Sequence, residues 1–162
     1  MQQTTAKKVK VYAVAILIPL AVGALSAFLT PENMDLYSEI INPPLAPPSI
    51  LFPIVWTILY ILMGISSGMI WLRRESNLKA ADKGISFYAL SLAFNFCWSI
   101  IFFNFREFFI AFIWLLVLLY LTVRTVLSYS KVYKTAAYLQ IPYVIWLVFA
   151  GYLNLAVWIL NR

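Results

Sequence analysis

Three stretches of the chain carry side chains whose type and spacing could do chemistry. Phe52, Trp56 and Tyr60 recur every four residues, with Val55, Leu59 and Met63 beside them, so a helix would place the three rings on one face. Ser91, Asn95, Trp98 and Ser99 form a second such face, and Pro142, Trp146, Phe149, Ala150, Leu153 and Asn154 a third. Large rings with an occasional hydrogen-bonding group are the usual lining of a small-molecule pocket. The same residue types also serve as interface anchors and as hydrogen bonds between helices. Trp98 and Trp146, each more than two turns inside an apolar run, fit the anchor role poorly. Asn95 and Asn154 must face a bundle interior, where each other, a backbone carbonyl or a ligand could satisfy them.

Other chemistry is excluded by what is missing. The chain has no His, and Cys97 is its one Cys, so zinc and iron–sulfur ligation have no donor set. The six carboxylates all fall between apolar runs or at their ends, which leaves no intramembrane acid as a proton relay. No Ser, His and Asp set and no glycine-rich phosphate loop occurs. No metal site is expected.

These residues must be positioned by helices in lipid. With 64% hydrophobic, 17% aromatic and only 11% charged residues in 162, the chain has too little polar surface to enclose a soluble core. Uncharged windows run Val11 to Leu29, Ile50 to Leu72, Ile85 to Phe105, Phe108 to Val123 and Thr135 to Asn161. A crossing helix needs about 20 apolar residues, and the fourth window reaches that length if Arg124 snorkels. The expected fold is all-α: an integral membrane protein with a five-transmembrane-helix bundle, helices near 9–29, 49–72, 85–105, 107–129 and 135–160, in one domain spanning 1–162. The first apolar run, 19 residues long, exceeds the h-region of about 7 to 15 found in signal peptides, so retention of the first helix is expected.

Basic residues set the orientation. Lys7, Lys8, Lys10, Arg73, Arg74, Lys79, Lys83, Lys131 and Lys134 fall on one side of such a bundle, with Arg124 close by, while the other has only Arg106 and Arg162. The expected arrangement is N-terminus cytoplasmic and C-terminus outside, in a bacterial cell membrane. The net charge of +6 is mostly this bias, and no nucleic-acid partner is expected.

The loop over 30–48 ends in Pro43, Pro44, Pro47 and Pro48. Proline lacks a backbone donor and biases its predecessor away from helix, so this segment is stiff and stops sharply where the second helix starts. Ser49 is expected to cap that helix, with Pro53 in its first turn. Such a loop suits a lid over the pocket, and equally a rigid connector.

The run Pro47-Pro48, Phe52, Val55-Trp56-Thr57, Leu59-Tyr60, Met63-Gly64 resembles the signature of the translocator protein family, TspO/MBR, also called tryptophan-rich sensory proteins or peripheral-type benzodiazepine receptors. The resemblance continues through Leu92-Ala93-Phe94-Asn95, Trp98, Phe102-Phe103 and Arg106 to Pro142-Tyr143, Trp146, Phe149-Ala150, Leu153-Asn154 and Trp158. It implies a homodimeric five-helix bundle that binds tetrapyrroles such as protoporphyrin IX, and benzodiazepine or isoquinoline drugs, in one cavity under the first loop. By motif position Trp56, Asn95, Trp98, Trp146, Phe149, Ala150 and Leu153 would line it, with Tyr37, Pro47 and Pro48 as lid. Ser26, Phe52 and Tyr60 complete the expected ligand-binding set. The resemblance also implies light- and oxygen-dependent breakdown of porphyrin in some members, which makes Trp56 and Trp146 candidate catalytic residues. The alternative is a non-catalytic carrier or stress sensor for porphyrin or sterol-like lipids. No cofactor is required, porphyrin entering as ligand or substrate.

Two departures stand out. Leu36, Asn42 and Leu45 replace the Trp, Lys and Trp usual in the family's loop, and Tyr152 lacks a Lys or Arg within five residues, so cholesterol recognition through that motif is not expected. Small residues four apart, Gly64 and Gly68, Gly23 and Ala27, and Ala89, Ala93 and Cys97, suit close helix approach, either within the bundle or in a dimer through the third helix.

Overall fold

The computed structural model describes residues 4–30, 36 and 38–162. Five long helices follow in order: α1 Thr5–Leu29, α2 Leu51–Arg73, α3 Leu78–Ser99, α4 Phe108–Ser130 and α5 Lys134–Leu160. Each is long and apolar enough to cross a membrane. No strand occurs among the described residues. At about 1.5 Å per residue, the 23 residues of α4 reach across a hydrocarbon core of about 30 Å.

The burial pattern is the inverse of a soluble protein's. Leu17, Phe28, Ile58, Leu127, Ile145 and Val148 are exposed, whereas Ser66, Ser91, Asn95, Thr122, Gln140 and Asn154 are buried. In lipid a polar side chain is cheapest where another protein group satisfies it. Ser66 donates to the Ala136 carbonyl at 2.7 Å and accepts from Gln140 Nε2 at 3.2 Å, joining α2 to α5.

The helices form a ring in the order α1, α2, α5, α4, α3, which closes through a thin contact between α3 and α1. Small residues set the tight seam. A Cβ on Gly64 would lie 2.5 Å from the Ile16 Cα, so α2 meets the backbone of α1 there and only glycine fits. The small-residue spacing in α1 and α2 therefore serves packing within the bundle. Ala89 and Ala93 on α3 are exposed instead.

Several helix ends lie away from the apolar windows. α3 starts at Leu78, before the window that opens at Ile85, and Asn77 caps it by accepting from the Ala80 N–H at 3.2 Å. Lys79, Ala80, Ala81 and Lys83 are good helix formers, so the charges mark the membrane boundary and not the end of the helix. The cap expected of Ser49 is corrected: Ile50 occupies the N-cap with helical dihedrals and no side-chain cap bond forms. The backbone turns instead, with Leu51 N–H donating to the Pro48 carbonyl at 2.9 Å and Phe52 N–H to the Ser49 carbonyl at 3.2 Å. α3 ends in a π-helical turn, Ile100–Asn104.

Candidate functional site: an aromatic cavity under a pinned roof

Between α1, α2, α5 and the π turn lies a cavity of about 640 Å³, within the range of about 300–1,000 Å³ usual for small-molecule sites. α4 contributes nothing to its lining. Tyr60, Trp56 and Phe52 descend one wall at the four-residue spacing of α2. Trp98, Phe102 and Phe103 form the opposite wall, and Ala150, Leu153 and Asn154 come from α5. On α1 the small residues Gly23, Ala24 and Ala27 leave the space open, with Ser26 beside them.

The π turn explains how Phe102 and Phe103 both reach the cavity. The Phe105 N–H bonds to the Ile100 carbonyl at 3.1 Å, an i to i+5 closure that widens the helix and turns successive side chains toward one side; such bulges recur at functional sites. Trp98 stacks on Phe102 with centroids 5.3 Å apart, and Phe103 meets Phe102 edge-on at 5.0 Å. Trp98 is held from α5: its indole N–H donates to Asn154 Oδ1 at 3.1 Å, and Asn154 Nδ2 donates to the Phe108 carbonyl at 2.8 Å.

Not every expected residue faces the space. Ser26, Phe52, Trp56, Tyr60, Trp98, Ala150 and Leu153 line it, whereas Asn95, Trp146, Phe149, Pro47 and Pro48 do not, and Tyr37, like Glu32 and Asp35, lies outside the described residues. Asn95 stands behind the wall. It accepts from the Tyr60 hydroxyl at 2.9 Å and donates to the Tyr143 hydroxyl at 2.9 Å, fixing Tyr60 from outside the cavity. Trp146 backs the same wall, edge-on to Trp56 at 6.4 Å and to Phe52 at 6.0 Å. Phe149 packs on Trp146 at 5.7 Å. From the roof, Ile40, Pro43, Ala46 and Ser49 reach the cavity in place of Pro47 and Pro48.

Contacts among the described residues pin the roof to the bundle. The Asn161 side chain accepts from the Ile41 N–H at 2.8 Å and donates to the Ile41 carbonyl at 3.1 Å. Tyr152 donates its hydroxyl to the Pro44 carbonyl at 2.8 Å, and Arg106 pairs with Glu39 at 2.9 Å. Between these anchors Pro43 to Ala46 close a turn, Ala46 N–H to the Pro43 carbonyl at 3.1 Å, with Leu45 at a φ of 66°.

Among the described residues the lining includes hydroxyls, indoles and an amide, but no Asp, Glu, Lys or Arg. No group of His, Cys, Asp and Glu among the described residues could hold a metal ion. The arrangement can enclose a flat, apolar ligand between rings and orient it with a few neutral hydrogen bonds.

Residues missed by the sequence reading include Phe102, Phe103 and Gly23. The two Phe follow Trp98 closely, but their shared direction depends on the π turn. Gly23 was legible as a small residue, though not as one that makes room.

The TspO/MBR family model matches residues 15–159. The tryptophan-rich protein TspO of Chlorobaculum tepidum is 33% identical over 160 residues, covering 96% of this chain and 98% of the relative. Protein CrtK of Rhodobacter capsulatus is 36% identical over 152 residues, covering 93% and 92%. The translocator protein of Bos taurus is 35% identical over 143 residues, covering 88% and 85%. With five membrane-crossing helices and matches of this extent, the chain is an integral membrane protein and belongs to the TspO/MBR family.

Proposed function

We propose that the chain binds a tetrapyrrole of the protoporphyrin IX type in this cavity. The carrying observation is the cavity itself: rings on opposing walls, neutral polar groups between them and a volume of about 640 Å³. A porphyrin is flat and apolar over its faces, so stacking and edge contacts with rings suit it. Its propionates carry negative charge, and the uncharged lining leaves them at the mouth, in contact with water. Benzodiazepine and isoquinoline ligands share the property of flat rings with a few neutral acceptors and would occupy the same space.

Ring chemistry on a bound porphyrin would start at Trp56, which lines the cavity, and Trp146 would take part only through Trp56, since it stands behind that ring. The second reading is a carrier or sensor that transforms nothing. It is favoured by the lack of any carboxylate, amine, guanidinium or imidazole among the described lining residues.

The working orientation puts the Lys- and Arg-rich end in the cytoplasm, the roof outside, and the protein in a cell membrane. A homodimer would use α3, where Ala89 and Ala93 are exposed.

Titration of purified protein with protoporphyrin IX in the dark, followed by tryptophan fluorescence, tests binding; illumination then tests chemistry. Saturable quenching is expected, and its absence would overturn the ligand assignment. Light-dependent loss of the porphyrin bands beyond that with denatured protein, slowed in Trp56→Phe, would support chemistry. Quenching without such loss would leave the carrier or sensor.

A further inference from the structure

At the basic end, Lys83 of α3 and Arg124 of α4 converge on one ring. Lys83 Nζ lies 5.9 Å and Arg124 Cζ 5.0 Å from the Phe87 centroid. The helices are in register there, because a Cβ on Gly84 would come within 3.1 Å of Ser128 Cβ. Arg124 stands six residues before the end of α4 at Ser130, about 9 Å down the helix, and Lys83 five residues after the start of α3 at Leu78. Both cations therefore sit at a similar depth, below the loops.

Neither has an anionic partner among the described residues. Asp82 pairs with Arg74 at 3.5 Å, and the pair of Arg106 with Glu39 lies at the opposite end of the bundle. Arg124 donates to the Tyr120 hydroxyl at 2.7 Å, a neutral acceptor that uses one of its five N–H donors. Two like charges over a single ring repel each other, and an anion between them would remove that cost. The flank around them is apolar and faces outward: Leu90, Val123 and Leu127 are exposed.

We infer that Lys83 and Arg124 form a binding site for one anionic phospholipid, with its phosphodiester between the two cations and its acyl chains along α3 and α4. A guanidinium takes two phosphate oxygens at once, and an ammonium acts as a point charge beside it. The apolar flank selects a lipid over free phosphate. The pair of uncompensated positive charges favours a headgroup with no cation of its own.

The test is native mass spectrometry of the detergent-solubilised full chain with phosphatidylglycerol or phosphatidylcholine of matched acyl chains. Wild type should retain one phosphatidylglycerol at least tenfold more tightly than phosphatidylcholine. Lys83→Gln with Arg124→Gln should abolish that preference, and Lys7→Gln with Lys8→Gln should leave it intact. Arg124→Lys, which keeps the charge, should retain most of it, and thermal unfolding without lipid checks that each variant is folded. Equal phosphatidylglycerol retention in the Lys83 and Arg124 double variant would overturn the assignment. So would an equal loss from the Lys7 and Lys8 variant, which means diffuse attraction, or competition by inorganic phosphate, which means a free-anion site.

Discussion

Asn161, at the end of α5, grips the backbone of Ile41 with both ends of its amide, accepting from the N–H at 2.8 Å and donating to the carbonyl at 3.1 Å. The two residues are 120 apart in sequence, so the clasp ties the roof of the cavity to the last helix. Ile40, next to the clasp, lines the cavity. Each such bond contributes about 0.5–1.5 kcal/mol net. Asn161→Leu should speed porphyrin dissociation about tenfold, with less effect on association, because the roof opens more often. Stopped-flow fluorescence reads this, and amide exchange at Ile41 reads the same opening without ligand. Unaltered exchange at Ile41 would show that the clasp does not hold the roof.

Asn95 carries a different load. It joins the Tyr60 and Tyr143 hydroxyls and is buried to 1% exposure. Asn95→Leu strands the Tyr60 hydroxyl, at about 1–3 kcal/mol for an unsatisfied group, and takes one of two partners from Tyr143, whose hydroxyl also bonds the Thr122 side chain. Thermal unfolding in detergent should show a clear loss of stability. The double variant with Tyr60→Phe should recover part of it, because the stranded hydroxyl is gone. Additive losses in the double variant would argue against this account.

The contrast between Asn95 and Trp98 shows how far the sequence could be read. Helical period put both on one face of α3, and both are at the site. The period does not tell which ring touches the space and which residue braces it from behind. Trp98 lines the cavity and Asn95 stands behind Tyr60; Trp146 likewise backs Trp56 and Phe52, with Phe149 packed on Trp146. That depth is set by neighbouring helices, which no local spacing records. Apolar windows marked the five spans well, since lipid exposure demands them. They missed the first turns of α3, because helix formers continue through charged residues once the backbone leaves the hydrocarbon. Proline spacing marked the roof as stiff, yet Pro43 and Ala46 reach the cavity and Pro47 and Pro48 do not, a result of the turn centred on Pro44 and Leu45.

That turn supplies a third prediction. Leu45 adopts a φ of 66° in a turn whose third position favours glycine. A left-handed conformation costs a side-chain-bearing residue about 1–2 kcal/mol, whereas glycine loses about 0.5–1 kcal/mol more in backbone entropy on folding. The first term is the larger at its upper end, so Leu45→Gly should stabilise the protein by up to about 1.5 kcal/mol. A lower melting temperature would show that the exposed Leu45 side chain gains more from its surroundings than the backbone loses.

Packing of α1 on α2 depends on Gly64, whose hypothetical Cβ would be 2.5 Å from Ile16 Cα. Backbone cannot yield as a side chain can, so Gly64→Val must push the helices apart, at about 1–3 kcal/mol. Because α1 and α2 both line the cavity, porphyrin affinity should fall together with thermal stability. Gly151→Ala is the control: its nearest contact would be a Leu115 methyl at 3.5 Å, an ordinary separation, and both properties should stay near wild type. Equal damage from the two substitutions would rule out the α1–α2 seam as the cause.

Tyr129 gives a test of opposite sign. Its ring is fully buried against Tyr88, with centroids 6.5 Å apart, and its hydroxyl has no hydrogen-bond partner among the described residues. A buried hydroxyl without a partner costs about 1–3 kcal/mol, so Tyr129→Phe should be neutral or stabilising, since it deletes the hydroxyl and keeps the ring. Hydrogen bonding through an enclosed water would reverse the sign, because the water would then lose a partner as well. The melting temperature of Tyr129→Phe in detergent decides between the two. A rise means a dry interior at this level of the bundle, and a fall means that water occupies the space between α3 and α4.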